Sequence, residues 1–226
     1  MIVQTPAEYV ARKIRLNPGQ ITLADLRACK QHGENKLTIA QTFDLKEHLG
    51  YSLPIQEFWN KLMELHPCPT VLEIGCGSGL YACFFSRLLD DLGGRWIATD
   101  DREAHFRECY EHMPTLFPSL ILTKNPIALL SAVPETDQIL LTVWPEANSY
   151  YMMDYIRQFR GRFIVFVGEP GVCAHDDVYK HLTQRYGLHM VSLCLYETIL
   201  GSVYEKMFIW DKHSQPDLDL VELFDF

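Results

Sequence analysis

The run Val71-Leu72-Glu73-Ile74-Gly75-Cys76-Gly77-Ser78-Gly79 constrains this chain more than any other feature. An apolar, β-favouring segment leads into glycines at every second position. A helix-like stretch, Leu80 to Leu89, follows at once. The pattern predicts a strand, a glycine turn and a helix start in one piece. Glycine has no Cβ, so such a turn lets the backbone close on a polar ligand, and the helix start behind it presents unpaired N–H groups.

From Thr70 onward the chain alternates strand and helix signals. The predicted strands are Thr70 to Ile74, Arg95 to Thr99, Ser119 to Thr123, Gln138 to Val143 and Arg162 to Val167. Their apolar runs are nearly continuous, as in parallel strands covered on both faces. Helices are expected over Leu80 to Leu89, Arg102 to His112, Ser149 to Phe159 and Asp176 to Tyr186. Two further strands, Leu188 to Tyr196 and Val203 to Trp210, flank a short loop containing Gly201, which suits antiparallel pairing. This order implies an α/β fold with a doubly wound, mostly parallel sheet between two helical layers.

Ahead of it, the first fifty residues read as helices. Thr5-Pro6-Ala7-Glu8 is a capping-box start with proline at the first helical position. Thr22 opens a second helix that Gly33 ends, and a third spans Ile39 to His48. Pro54 to Leu65 is a fourth, with Ile55, Phe58, Trp59, Leu62 and Leu65 at helical spacing. The chain thus divides into an N-terminal helical cap (1–66), a Rossmann-like domain (67–212) and an acidic-apolar tail (213–226). The tail sequence, Asp217 to Phe226, mixes acids with large apolar residues. It reads either as a last element packed on the core or as a docking tail for a partner protein.

Composition excludes several classes. The formal net charge of −9 argues against a dedicated duplex-DNA binder. No apolar run approaches the roughly 20 residues of a membrane span. Met1 to Thr5 lacks a basic stretch followed by an apolar core, so no signal peptide is expected. Seven cysteines, none in a C-x-x-C pair, fit reduced thiols in a cytoplasmic compartment.

An acid two residues before the first glycine, followed by G-x-G-x-G, resembles motif I of the class I methyltransferases that use S-adenosylmethionine. The dinucleotide fingerprint would want a third glycine at position 80, which is Leu. The resemblance covers roughly residues 51–212 and is concentrated in 71–101. It implies a seven-stranded sheet whose last strand is antiparallel. It also implies that Gly75, Cys76, Gly77 and Gly79 pack against the methionine portion of the cofactor. Glu73 would support the loop and the cofactor amino group, or bond loop amides in a structural role. The segment Ile97-Ala98-Thr99-Asp100-Asp101 places a carboxylate at the end of the second strand, where it can accept both ribose hydroxyls. Asp100 is the first candidate and Asp101 the alternative; either would also cap the helix expected from Arg102. By position, Asn125 flanks the adenine, although the family often has an acid there.

The acceptor side departs further from the family's pattern. Strand four runs into Thr142-Val143-Trp144-Pro145-Glu146. Amino-methylating relatives often carry a polar residue, two prolines and an aromatic at this place, and only Pro145 matches. A looser likeness to uncharacterised bacterial methyltransferase-fold proteins rests on Tyr51, Pro54 and Glu57, on Trp144 and Pro145, and on Gly168, Glu169 and Cys173. Glu146 and Glu169 lie at strand ends facing the expected pocket, and either is a candidate general base. The competing reading of each is a solvated loop carboxylate. Trp144 would stack on adenine, shape the acceptor pocket or fill core. Tyr51, Tyr150 and Tyr151 are placed to close the pocket, and aromatic faces suit a cationic donor.

Two metal-like patterns carry little weight. His105, Cys109 and His112 share one helix face but lack a fourth ligand. Cys173-Ala174-His175-Asp176-Asp177 reads as a loop into a capped helix. The expected function is methyl transfer from S-adenosylmethionine to a small-molecule or protein acceptor. Its rivals are a cofactor-binding pseudoenzyme or adaptor and an NAD-dependent oxidoreductase, the latter disfavoured by Leu80.

Overall fold

The computed structural model describes residues 52, 54, 56–101, 115–146, 151–169, 171–192 and 206–217. The helices expected before residue 50, the segment Arg102 to His112 and the tail beyond 217 lie outside the described residues. So do Tyr51 and Tyr150.

The described elements run in chain order as α1 (Gln56–Leu65), β1 (Thr70–Ile74), α2 (Leu80–Asp91), β2 (Arg95–Asp100), β3 (Ile121–Leu122), β4 (Gln138–Val143), α3 (Tyr151–Gln158), β5 (Phe163–Gly168), α4 (Asp176–Thr183), β6 (Gly187–Ser192) and β7 (Lys206–Asp211). Two short 3₁₀ turns, Pro126–Leu130 and Glu135–Asp137, bridge β3 to β4.

The seven strands form one sheet in the order β3-β2-β1-β4-β5-β7-β6. Pairings from β3 across to β5 are parallel, and β7 runs antiparallel between β5 and β6. This is the seven-stranded, mostly parallel sheet that the resemblance to class I methyltransferases implies, with its single reversed strand inserted next to the edge. The two last strands pair antiparallel with each other, as the loop between them predicts. Their insertion order is not visible in periodicity.

Strand alternation splits the core in two. One face carries Val71, Trp96, Ala98, Ile139, Leu141, Val165, Val167 and Ile209. It is covered by Phe58 and Leu62 of α1 and by Tyr81, Phe85 and Leu89 of α2. The other face carries Leu72, Ile74, Ile97, Leu140, Ile164, Phe166, Phe208 and Trp210. Met152 and Ile156 of α3, Val178, Tyr179 and Leu182 of α4, and Leu130 cover it. The result is three layers, each helix burying one stripe. α1 therefore packs directly on the sheet. A 2.7 Å hydrogen bond between buried Ser52 and the Tyr81 hydroxyl ties the segment before α1 to α2.

Strand β3 is shorter than the sequence suggests. Both of its residues are exposed at the sheet edge. Among the described residues, no helix is long and apolar enough to cross a membrane.

Candidate functional site

The chain leaves β1, builds β2 and β3 to one side, then returns to place β4 on the other side of β1. Ligands of open α/β sheets sit at such a switch point, beyond the carboxyl ends of the strands. The glycine turn lies there, between β1 and α2.

Gly75, Gly77 and Gly79 all have left-handed backbones, at φ 65, 56 and 76°. Gly79 is the residue ahead of α2 and caps it without a side-chain bond. A Cβ on Gly79 would stand 2.7 Å from the Phe117 Cβ, so this glycine is demanded by the chain's own packing as well as by its φ. The turn is fixed by Cys76 N–H donating to the Thr99 carbonyl (3.0 Å) and Gly79 N–H donating to the Cys76 carbonyl (2.8 Å).

Asp100 ends β2 and is only 5% exposed. Its Oδ2 accepts the Gly77 N–H at 2.8 Å. The carboxylate thus clasps the middle of the glycine turn and holds β1 and β2 ends together. Asp101, its neighbour, is exposed. Asn125 is also exposed, just before the first 3₁₀ turn, with its N–H bonded to Thr123 Oγ1.

Glu73 occupies a different setting. It is 1% exposed, and its Oε2 accepts the Trp96 indole N–H at 2.8 Å. Glu73 pairs with Ala98 across the β1–β2 register, and Trp96 lies two residues earlier on the same face. The small Ala98 leaves room for this diagonal contact. Burial raises the carboxyl pKa to about 8; the indole bond opposes the rise and the nearby Asp100 charge adds to it. In the structure, the loop amide of Gly77 is taken by Asp100, while Glu73 binds Trp96.

The turn after β4 is strained. Trp144 is a non-glycine residue at φ 49°. Its N–H donates to the Val167 carbonyl at 2.7 Å, and the Pro145 carbonyl accepts the Ala174 N–H at 3.1 Å. Ala174 is itself left-handed, at φ 57°. The turn after β5 folds on Cys173, which is fully buried. Cys173 N–H donates to the Glu169 carbonyl, and the Glu169 N–H donates to Cys173 Sγ at 3.4 Å. This explains the Gly168 position: a Cβ there would meet Cys173 Sγ at 2.9 Å. Trp144, Glu146 and Glu169 are all half-buried.

Tyr151, the first residue of α3, stands where these loops meet. Its hydroxyl is 3.5 Å from the point a Gly75 Cβ would occupy. Burial pushes its pKa above the ordinary range, and the charges of Glu146, Asp100 and Asp101 push the same way, against a bond from the Glu146 backbone. Burial therefore favours the neutral phenol. Of the loop residues, Gly75 lies against this hydroxyl, and the carboxylates of Glu146, Asp100 and Asp101 are near enough for their charges to act on it. Glu169 sits one strand further on, in the turn folded on Cys173.

Sequence reading names Tyr151 only as one of three pocket-closing tyrosines and does not name Trp96. The signal for Tyr151 is its place at the start of the helix after β4. The signal for Trp96 is its face, shared with Glu73 once β1 and β2 pair in parallel. His105, Cys109 and His112 lie outside the described residues.

No family model matches the sequence, and no curated protein matches it. Similar solved structures include a SAM-dependent methyltransferase from Aquifex aeolicus (11% identity, 78% of this chain and 98% of that chain, TM-score 0.41). Another is TrmK from M. capricolum in complex with S-adenosyl-homocysteine (9% identity, 73% and 71%, TM-score 0.42). A third is Thermoplasma acidophilum 1320 (14% identity, 70% and 85%, TM-score 0.41).

Proposed function

We propose that the protein transfers a methyl group from S-adenosylmethionine to a small-molecule or protein acceptor. The observation that carries this reading is the glycine turn at the switch point, clasped by the β2 carboxylate through the 2.8 Å bond from Gly77 to Asp100. The residues present fit such a donor. Left-handed Gly75 and Gly77 leave bare backbone on the loop. Asp100 and Asp101 stand at the β2 end for ribose hydroxyls, and exposed Asn125 stands at the β3 end for the adenine.

When bound, the donor supplies an electrophilic methyl on a sulfonium. The chain's part is to hold and align the two reactants, which for an in-line displacement provides much of the rate. Trp144 and Pro145 form the acceptor wall. Glu146, half-buried in the turn after β4, takes the proton from an acceptor that must lose one. Glu169 is the second candidate for that role.

Incubation with methyl-tritiated S-adenosylmethionine and fractionated pools of small molecules and proteins tests this. Transfer of label to one pool, abolished in Asp100→Ala, is the expected result. Donor binding without label in any pool would remove the enzyme reading and leave a cofactor-binding adaptor.

A further inference from the structure

We propose that Phe117 is a positioning residue of the donor site: the segment 115–123 that carries it straps the outer half of the glycine turn and holds it in the shape that receives S-adenosylmethionine. The inference rests on the donor reading above and deepens it by assigning a residue that acts through the loop.

The strap meets the turn residue by residue. Leu116 N–H donates to the Ser78 carbonyl at 2.8 Å. Phe117 lies against Gly79: the place a Gly79 Cβ would take is 2.7 Å from the Phe117 Cβ, 3.5 Å from its backbone nitrogen and 3.7 Å from a Leu120 methyl. Leu116 is buried, and the half-buried Phe117 packs against the core face that α1 and α2 cover. The chain then turns, with Leu120 N–H donating to the Phe117 carbonyl at 3.1 Å, and enters β3. There Ile121 and Leu122 pair with Thr99 and Asp100, and Thr123 N–H donates to the Asp100 carbonyl at 3.0 Å.

Asp100 therefore serves the turn twice. Its carboxylate holds Gly77 from the sheet, and its backbone anchors the strap that holds Ser78 and Gly79. The residues gripped are successive, and Gly77 and Gly79 are left-handed. Glycine loses more freedom on ordering than any other residue. A donor that had to order this turn for itself would bind more weakly, and the strap removes that cost in advance. The strap's own hold on the sheet is light, because β3 is two residues long and both are exposed. A peripheral segment of this kind opens at a lower free energy than the central strands. The Phe117 ring is the apolar anchor that keeps it shut. The coupling is reciprocal: a closed strap that favours the donor is favoured by the donor through the same factor.

Calorimetry with S-adenosylhomocysteine, together with amide hydrogen exchange followed by NMR, tests this on the full chain. The reference amide is Lys212, which donates to the Arg162 carbonyl at 3.0 Å, at the opposite end of β5 from the site. In the wild type, saturating ligand slows exchange at Leu116 about tenfold more than at Lys212. Phe117→Ala keeps the Cβ over Gly79 and loses the anchor; it binds the ligand about tenfold more weakly. Its Leu116 amide also exchanges faster than the wild type's without ligand. Phe117→Leu, which restores an apolar anchor, recovers most of the affinity and the protection. A merely structural role would lower the urea midpoint and leave exchange at Leu116 no more linked to ligand than exchange at Lys212. A wild type that binds ligand with equal slowing at the two amides overturns the proposal. So does a folded Phe117→Ala protein that binds as tightly as the wild type. Should Phe117→Ala not fold, the wild-type exchange comparison decides alone. Absence of ligand binding to the wild type instead removes the donor reading itself, and the positioning role with it.

Discussion

Glu73 shows what one residue's setting does to its chemistry. Its carboxyl is buried among apolar side chains with the Trp96 indole bonded to it, and its pKa rises from 4.5 to about 8. The folded protein therefore keeps a proton that the unfolded chain has released. The contribution of Glu73 to stability is greatest below about pH 4.5, falls as the pH rises toward about 8, and levels off above. The span across that window is of the order of 5 kcal/mol. Glu73→Gln keeps an acceptor for the indole and cannot ionise. Urea unfolding at a series of pH values should show the variant more stable than the wild type at pH 8.5 and no more stable at pH 5. Parallel pH profiles for the two proteins would contradict the burial argument. The acid itself was legible from its place before the glycines. Its partner was not, because Trp96 comes within reach only through the β1–β2 register. Asp100 was legible as a strand-end carboxylate; its bond to Gly77 was not, because spacing does not say which acid reaches which amide.

Among the elements, the glycine turn was the most legible, because alternate glycines before a helix permit few other conformations. Gly79 shows why two demands converge there: φ 76° and a Phe117 Cβ that would sit 2.7 Å from an added methyl. Gly79→Ala should cost about 2 kcal/mol in urea unfolding, from backbone strain and overpacking together. A change below a few tenths of a kcal/mol would mean that the loop and Phe117 give way easily. The turn after β4 was less legible. Trp-Pro-Glu carries no sign of a left-handed tryptophan, since that conformation is imposed by hydrogen bonds from β5 and from the segment beyond it. Strand β3 was over-read for a related reason. Its apolar residues suggested a buried strand, whereas Ile121 and Leu122 form a two-residue exposed edge.

At the scale of the whole molecule, nearly continuous apolar strands announced a parallel sheet with helices on both faces. The position of β7 was beyond periodicity, which reports faces and not neighbours. Asp211 helps fix that insertion. It ends β7, pairs with Phe163 of β5 and Gly187 of β6, and accepts two bonds from Arg162, at 2.9 and 2.6 Å. The Arg162 bonds, against the effect of burial, hold its pKa near 2, helped by the His213 amide and the Ser214 hydroxyl. Its contribution is complete above about pH 3.8 and is lost as the pH falls toward 2. Asp211→Asn should lower stability at pH 7 by about 2 kcal/mol, with the difference shrinking in acid; a constant difference between pH 7 and pH 2.5 would contradict this. The sheet, so ordered, sets the glycine turn, Asp100 and Tyr151 at one switch point, and the central claim is that this point binds S-adenosylmethionine. Calorimetry with S-adenosylmethionine and S-adenosylhomocysteine, with Gly77→Arg as the control, tests it most directly. Micromolar binding to the wild type that disappears in the variant is the expected result. No binding to the wild type at millimolar ligand, or equal binding to both proteins, would contradict it.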